Sequence, residues 1–258
     1  MKIISIIFML TISLNVVFAQ QAHFITSGSI VYEKTVNMYA LIKRGQVSGK
    51  NVIGQEQQLL DAYQAKHSQF KTYKSTLTFA DGKTLFTPEA IQSESLGGMR
   101  FLPAAGQLNI VYADQVGHQT VSQKNVFDEL FLLKDSTRSI RWKITDETRE
   151  VAGYTCRRAN ALVLDSIYVV AFYTEAIHIP GGPESFGGLP GMILEVALPH
   201  ENINWHAVSV TEAVITPPVP PYKGKLVHRQ QLLDAINKGV NGSQTPQQAD
   251  MQKKNYLL

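Results

Sequence analysis

Seven histidines, one cysteine and a scatter of carboxylates are the residues of this 258-residue chain that could do chemistry, so their spacing is the first question. His23, His67, His118, His178, His200, His206 and His228 include no pair at the i, i+4 helical spacing that announces zinc. The nearest approach to a ligand set is His200 and His206 within Pro199–His206, with His178 upstream. If the three converged in space they could bind a metal; solvated surface histidines are the commoner arrangement. Cys156 is flanked by Arg157 and Arg158, which would activate the thiol if all three shared a face. On a strand, neighbours alternate, so Cys156 faces with Tyr154 and Arg158, and a packed small apolar residue is the expectation. Ser185 lies in Pro183-Glu184-Ser185-Phe186-Gly187, without the Gly-x-Ser-x-Gly elbow of a hydrolase. The carboxylate pairs Asp128-Glu129 and Asp146-Glu147 are expected in turns. No catalytic residue and no cofactor-binding residue is assigned, and no cofactor is expected.

The densest local signal runs from Ile179 to Val196, where glycines and prolines crowd a loop that delivers the chain into a strand beginning at Met192. Its defining positions are Gly182, Pro183, Phe186, Gly187, Gly188, Leu189, Pro190, Gly191, Met192 and Ile193. Phe186 and Leu189 are expected to anchor it to the core, and Gly191 to take a positive φ. The glycines make no phosphate cradle, because a strand follows them where a cradle needs the amides of a helix N-terminus.

Gly188-Leu189-Pro190-Gly191-Met192-Ile193 resembles the signature hexapeptide of the GLPGLI family, exported proteins of Gram-negative bacteria with no assigned function. The resemblance extends upstream in order, through Trp142, Glu147, the block Val151–Ala159 containing Gly153-Tyr154-Thr155-Cys156, and Ala171-Phe172-Tyr173-Thr174. Met192 in place of an aliphatic residue and Phe172 in place of Trp are the departures. The resemblance implies an exported protein and no reaction.

The elements that must position these residues are mostly strands. Ser27–Met38 alternates as a first strand, and Gln55–Phe70 changes to a helical period through Leu59, Ala62, Tyr63, Lys66 and Phe70. Ser75–Phe79 and Thr84–Phe86 flank Ala80-Asp81-Gly82-Lys83, a hairpin signal. Further strands are expected at Asn109–Tyr112, Gln119–Val126, Ile140–Thr145, Tyr154–Ala159, Met192–Leu198 and Ile203–Thr216, with Ala161–Tyr173 a strand pair or one long strand. Short connections favour antiparallel pairing. Pro217-Pro218-Val219-Pro220-Pro221 reads as an extended connector to a helix over Lys225–Lys238, with Leu226, Leu233 and Ile236 on one side and Gly239 as its stop. The expected fold is α+β: a curved, half-barrel-like, mostly antiparallel sheet with one or two helices. Trp142, Tyr168, Phe172, Tyr173 and Trp205 fall in its middle; they are read first as sheet core and second as a cradle for an apolar ligand or peptide.

Met1-Lys2 followed by the uncharged run Ile3–Leu14 and ending in Val17-Phe18-Ala19 has the order of a secretory signal, with cleavage expected after Ala19. The expected organisation is a signal peptide over 1–19, a β-rich domain over 20–216, the connector and helix over 217–240, and a flexible polar tail over 241–258. A single cysteine excludes an internal disulfide, and a formal charge of +3 offers no nucleic-acid footprint. No membrane span is expected after cleavage. The expected destination is the periplasm or cell surface. Two functions follow: a noncatalytic binder of an apolar ligand, peptide or envelope partner, or a hydrolase or peptidase, possibly metal-dependent.

Overall fold

The computed structural model describes residues 24–43, 56–89, 106, 109–127, 129–240 and 246–258; the expected signal and its cleavage point lie outside them. Twelve strands are described: β1 (Gly28–Asn37), β2 (Phe70–Ala80), β3 (Lys83–Pro88), β4 (Ile110–Asp114), β5 (Gln119–Val126), β6 (Glu129–Ser136), β7 (Lys143–Val151), β8 (Tyr154–Val163), β9 (Ile167–Thr174), β10 (Met192–Leu198), β11 (Ile203–Glu212) and β12 (Lys225–Val227). They form one open sheet in the order β12-β6-β5-β4-β3-β2-β1-β11-β10-β9-β8-β7. Its pairings are antiparallel except β12 on β6. The expected β-rich, mostly antiparallel sheet is therefore the fold, with four α-helices described where one or two were expected: α1 (Met38–Lys43), α2 (Glu56–Gln64), α3 (Arg229–Val240) and α4 (Pro246–Leu257).

Local chemistry sets the connections. Asp81 and Gly82 both take positive φ, 51° and 69°, which matches the twist of a two-residue hairpin between β2 and β3. The same device joins β7 to β8 at Ala152 and Gly153, while β8 and β9 are joined by three residues, of which Leu164 and Asp165 take positive φ. Ala161–Tyr173 is therefore a strand pair. Along β1, burial alternates with strict period two: Ile30, Tyr32, Lys34 and Val36 point inward. Burial does not alternate along β9 and most of β10, as expected where both sheet faces are covered.

The sheet curls. Lys34 on β1 and Lys124 on β5 stand four strands apart, about 19 Å on a flat sheet, yet both interact electrostatically with the single carboxylate of Glu184. The loop between β9 and β10 fills the hollow this creates. Most of the core is one cluster spanning β1, β2 and β8–β11 with α1 and α2. A smaller cluster of Val126, Phe131, Val227, Leu232, Ile236, Val240 and Tyr256 sits under α3 and α4 at the β12 end.

Several expectations are corrected. The tail, expected to lack structure of its own, forms α4 over Pro246–Leu257, and Tyr256 and Leu258 are buried although the segment is too polar to fold alone. Glu129 opens β6 and Asp146-Glu147 lie inside β7, so these carboxylates belong to strands and not to turns. The segment from Lys225 starts as a strand, with Leu226 exposed; the buried side of α3 is Leu232, Ile236 and Val240. Gly239 does not stop α3, which runs to Val240. A Cβ there would stand 2.1 Å from the Phe127 ring, so the glycine serves close approach.

Candidate functional site

The loop between β9 and β10 is held by its own backbone. Phe186 N–H donates to Pro183 O at 3.1 Å, Gly188 N–H to Pro180 O at 2.9 Å, Gly191 N–H to Leu189 O at 2.7 Å and Ile193 N–H to Gly181 O at 2.9 Å. Two side chains secure the loop and the strand it enters: Trp142 Nε1–H donates to Gly187 O at 2.9 Å and Tyr32 O–H to Ile193 O in β10 at 2.6 Å. Phe186 and Leu189 are buried, as expected of anchors, and Phe186 packs 6.0 Å from the Trp205 ring centroid. Gly191 does not have a positive φ; Gly188 does, at 86°. What Gly191 provides is space, because a Cβ there would lie 2.1 Å from Thr174 O.

The loop also turns Glu184 inward. Its backbone is left-handed, φ 52°, an uncommon and costly conformation for a residue with a side chain. The carboxylate is 8 % exposed and accepts a hydrogen bond from Asn109 Nδ2 at 2.9 Å. Burial raises its pKa, while Lys34, Lys124 and Asn109 oppose that rise. Lys34 is buried with its ammonium 5.0 Å above the Trp205 ring, and burial lowers its pKa to about 8 against the pull of Glu184. Lys124 falls to about 8 by burial, with Glu184 opposing and Arg138 and Arg229 reinforcing. Burial and then Arg229 lower Arg138 to about 10, against Asp135.

This group contacts the end of α4 through three donors. Lys124 Nζ donates to Tyr256 O at 3.2 Å, Arg138 Nη2 to Leu257 O, and Ser185 Oγ to Leu258 O at 2.8 Å. Three side chains from β5, the β6–β7 connection and the loop therefore grip the main-chain oxygens of three consecutive residues, Tyr256, Leu257 and Leu258. Two cavities of about 260 and 270 Å³ flank the grip, both lined by Thr120, Thr137, Arg138 and Ser185. Around it, Asn109 Oδ1, Arg138 Nη1, Trp205 Nε1, Gln252 Oε1 and both amide atoms of Asn255 are buried without a hydrogen-bond partner among the described residues. These enclosed atoms make the site polar.

The three candidate metal ligands do not meet. His178, beyond the end of β9, packs on Phe24 at 4.6 Å. His200 lies 6.3 Å from Tyr168 near the start of β9, and the six steps along the strand from Tyr168 to Thr174 span about 20 Å. His206 Nδ1 faces Glu195 Oε2 at 2.9 Å. Among the described residues no group of three His, Cys, Asp or Glu could hold a metal.

The outer face carries a second polar group. Glu195 is bridged by His206 and by Arg149, whose guanidinium lies 3.7 Å from the Phe172 ring centroid. Cys156 is fully buried beneath it, and burial, with Glu150 and Glu195, pushes the thiol up to about 12 against the nearby Arg149. It is a packed residue, as expected. The aromatic residues also pack: Phe172, Tyr173 and Trp205 are buried, and no open apolar cradle remains at them.

Residues 162–195, which cover the end of β8, all of β9, the loop and the start of β10, match the family model described as "Protein of unknown function (Porph_ging)". No curated protein matches. Among solved structures, the chain is similar to PNGF-II, with a TM-score of 0.50 and 15 % identity over 81 % of this chain and 33 % of that one. It thus spans about a third of the length of PNGF-II. An uncharacterized conserved protein from Thermus thermophilus matches with a TM-score of 0.37 and 6 % identity, over 79 % of this chain and 91 % of that one. The likeness to PNGF-II concerns the fold alone.

The site residues invisible to sequence reasoning were Lys34, Asn109, Lys124, Arg138 and Glu184. One signal was available: Lys34 shares the inward phase of Ile30, Tyr32 and Val36, and a lysine on an apolar face is an anomaly that asks for a partner.

Proposed function

We propose that this chain is an exported, noncatalytic binding protein of the GLPGLI family, acting in the periplasm or at the cell surface, and that it recognises a peptide segment by its main chain. The observation that carries this reading is the grip of Lys124, Arg138 and Ser185 on the main-chain oxygens of three consecutive residues. The two charged donors, Lys124 and Arg138, form strong hydrogen bonds to main-chain oxygens that are indifferent to the side chains of the segment they hold. The buried cations favour an occupant that offers oxygen acceptors. A purely apolar ligand fits poorly, because the aromatic residues are packed and the cavities beside the loop are lined by Thr, Ser and Arg. A metal-dependent hydrolase or peptidase finds no support in His178, His200 and His206, which stand apart.

The test is retention of a random tridecapeptide library by the purified protein, read by mass spectrometry, beside a Lys124→Met/Arg138→Gln variant of matching thermal stability. Peptides should be retained by the wild type and lost from the variant. Equal retention by both would remove the main-chain grip from the account.

A further inference from the structure

We infer that residues 246–258 are an internal occupant of the site, and that its partner is a peptide carrying an aromatic residue and, two positions later, an aliphatic one. This rests on the peptide-binding reading and adds to it the side-chain preference and the competition.

The argument starts with how α4 is held. It is a polar helix, Pro246-Gln247-Gln248-Ala249-Asp250-Met251-Gln252-Lys253-Lys254-Asn255-Tyr256-Leu257, too polar in sequence to hold itself in place, and among its described residues Ala249, Tyr256 and Leu257 make the apolar contacts to the smaller cluster. Two anchors hold its end. The Tyr256 ring packs 5.0 Å from Phe127 in the smaller cluster, while Leu258 enters the main core and lines a recess with Lys34, Phe186 and Trp205. The three gripped main-chain oxygens belong to the anchors and to Leu257 between them. The anchors define a side-chain code and these oxygens a main-chain code, the combination by which protein surfaces read peptides.

The fit is incomplete in one respect. Asn255 is 2 % exposed, yet neither its amide oxygen nor its nitrogen has a partner among the described residues. Gln252 Oε1, Asn109 Oδ1 and Trp205 Nε1 are in the same condition. A helix that had only to complete the core would be expected to bury apolar side chains there. Groups left unpaired weaken the hold of α4 relative to a segment that could satisfy Asn109 and Trp205. An external peptide with matching anchors and a better hydrogen-bond pattern would displace α4, and its apparent affinity is reduced by the fraction of molecules in which α4 occupies the site.

The experiment uses the full chain and, as probe, a 13C-labelled fluorescent peptide with the sequence of residues 246–258. Binding is followed by fluorescence anisotropy to the wild type, to Tyr256→Ala/Leu258→Ala, and to that variant with Lys124→Met added. The anchor variant should bind at least tenfold more tightly than the wild type, and Lys124→Met should abolish the gain. Equal affinity for the wild type and the anchor variant would overturn internal occupancy and leave the peptide reading in place. No binding to a folded anchor variant would overturn both. Should the anchor variant fail to fold, the wild type decides: saturating peptide should increase hydrogen exchange at residues 252–258, distinguished by mass from the labelled probe. Unchanged protection there would overturn the inference.

Discussion

At the level of single residues, the loop separates two uses of glycine that look identical in sequence. Gly188 needs its positive φ and has open space around its missing Cβ; Gly191 needs the space, with Thr174 O 2.1 Å from where a Cβ would stand. Gly188→Ala should therefore cost about 1–2 kcal/mol, the penalty for a left-handed L-residue. Gly191→Ala must push the loop off β9 and should cost more, about 3 kcal/mol or above, in line with overpacking against a backbone that cannot yield. Urea denaturation of the two variants checks the order; a smaller loss at Gly191 would contradict the geometry. Cys156 allows a pH prediction. Unfolded, its thiol ionises near about 8.5; folded, it stays protonated to about 12. Between those values the native state binds the additional proton, so stability falls as pH rises. Relative to Cys156→Ala, the wild type should lose about 1.4 kcal/mol per pH unit from roughly pH 9 to 11, measured by denaturation at each pH.

At the level of elements, alternation and turn chemistry were enough for much of the sheet. Gln119–Val126 and Met192–Leu198 are strands with the predicted ends, and Asp81-Gly82 makes the predicted hairpin. The misses share a cause. β6 reads Glu129-Leu130-Phe131-Leu132-Leu133-Lys134, an apolar run between charges with no period to reveal it, and it is a strand because β5 and β12 pair with it. β12 is three residues long and exists only against β6. α4 has the composition of a disordered tail and is ordered by contacts with residues far away in sequence, Lys124 and Arg138 among them. Where an element stabilises itself, its pattern shows; where a distant surface stabilises it, there is no local pattern to read.

At the level of the whole molecule, the two hydrophobic clusters predict a hierarchy of opening. The larger one is fixed by long strands paired on both sides, while the smaller rests on the short β12, on α3 and on the anchored end of α4. Native-state hydrogen exchange should show amides of α3, α4 and β12 opening together at a lower free energy than those of β1, β9 and β10. A single shared opening energy would show instead that the clusters are one cooperative unit. The same long-range organisation made the site. Composition and period two are local properties, and they suffice for a β-rich antiparallel fold, for the packed Cys156 and for the loop anchored by Phe186 and Leu189. The meeting of Lys34, Lys124, Arg138 and Glu184, and the failure of His178, His200 and His206 to meet, depend on how far the sheet curls and which strands end up adjacent. Curvature and strand order arise from contacts summed across twelve strands, so no short stretch of sequence carries them.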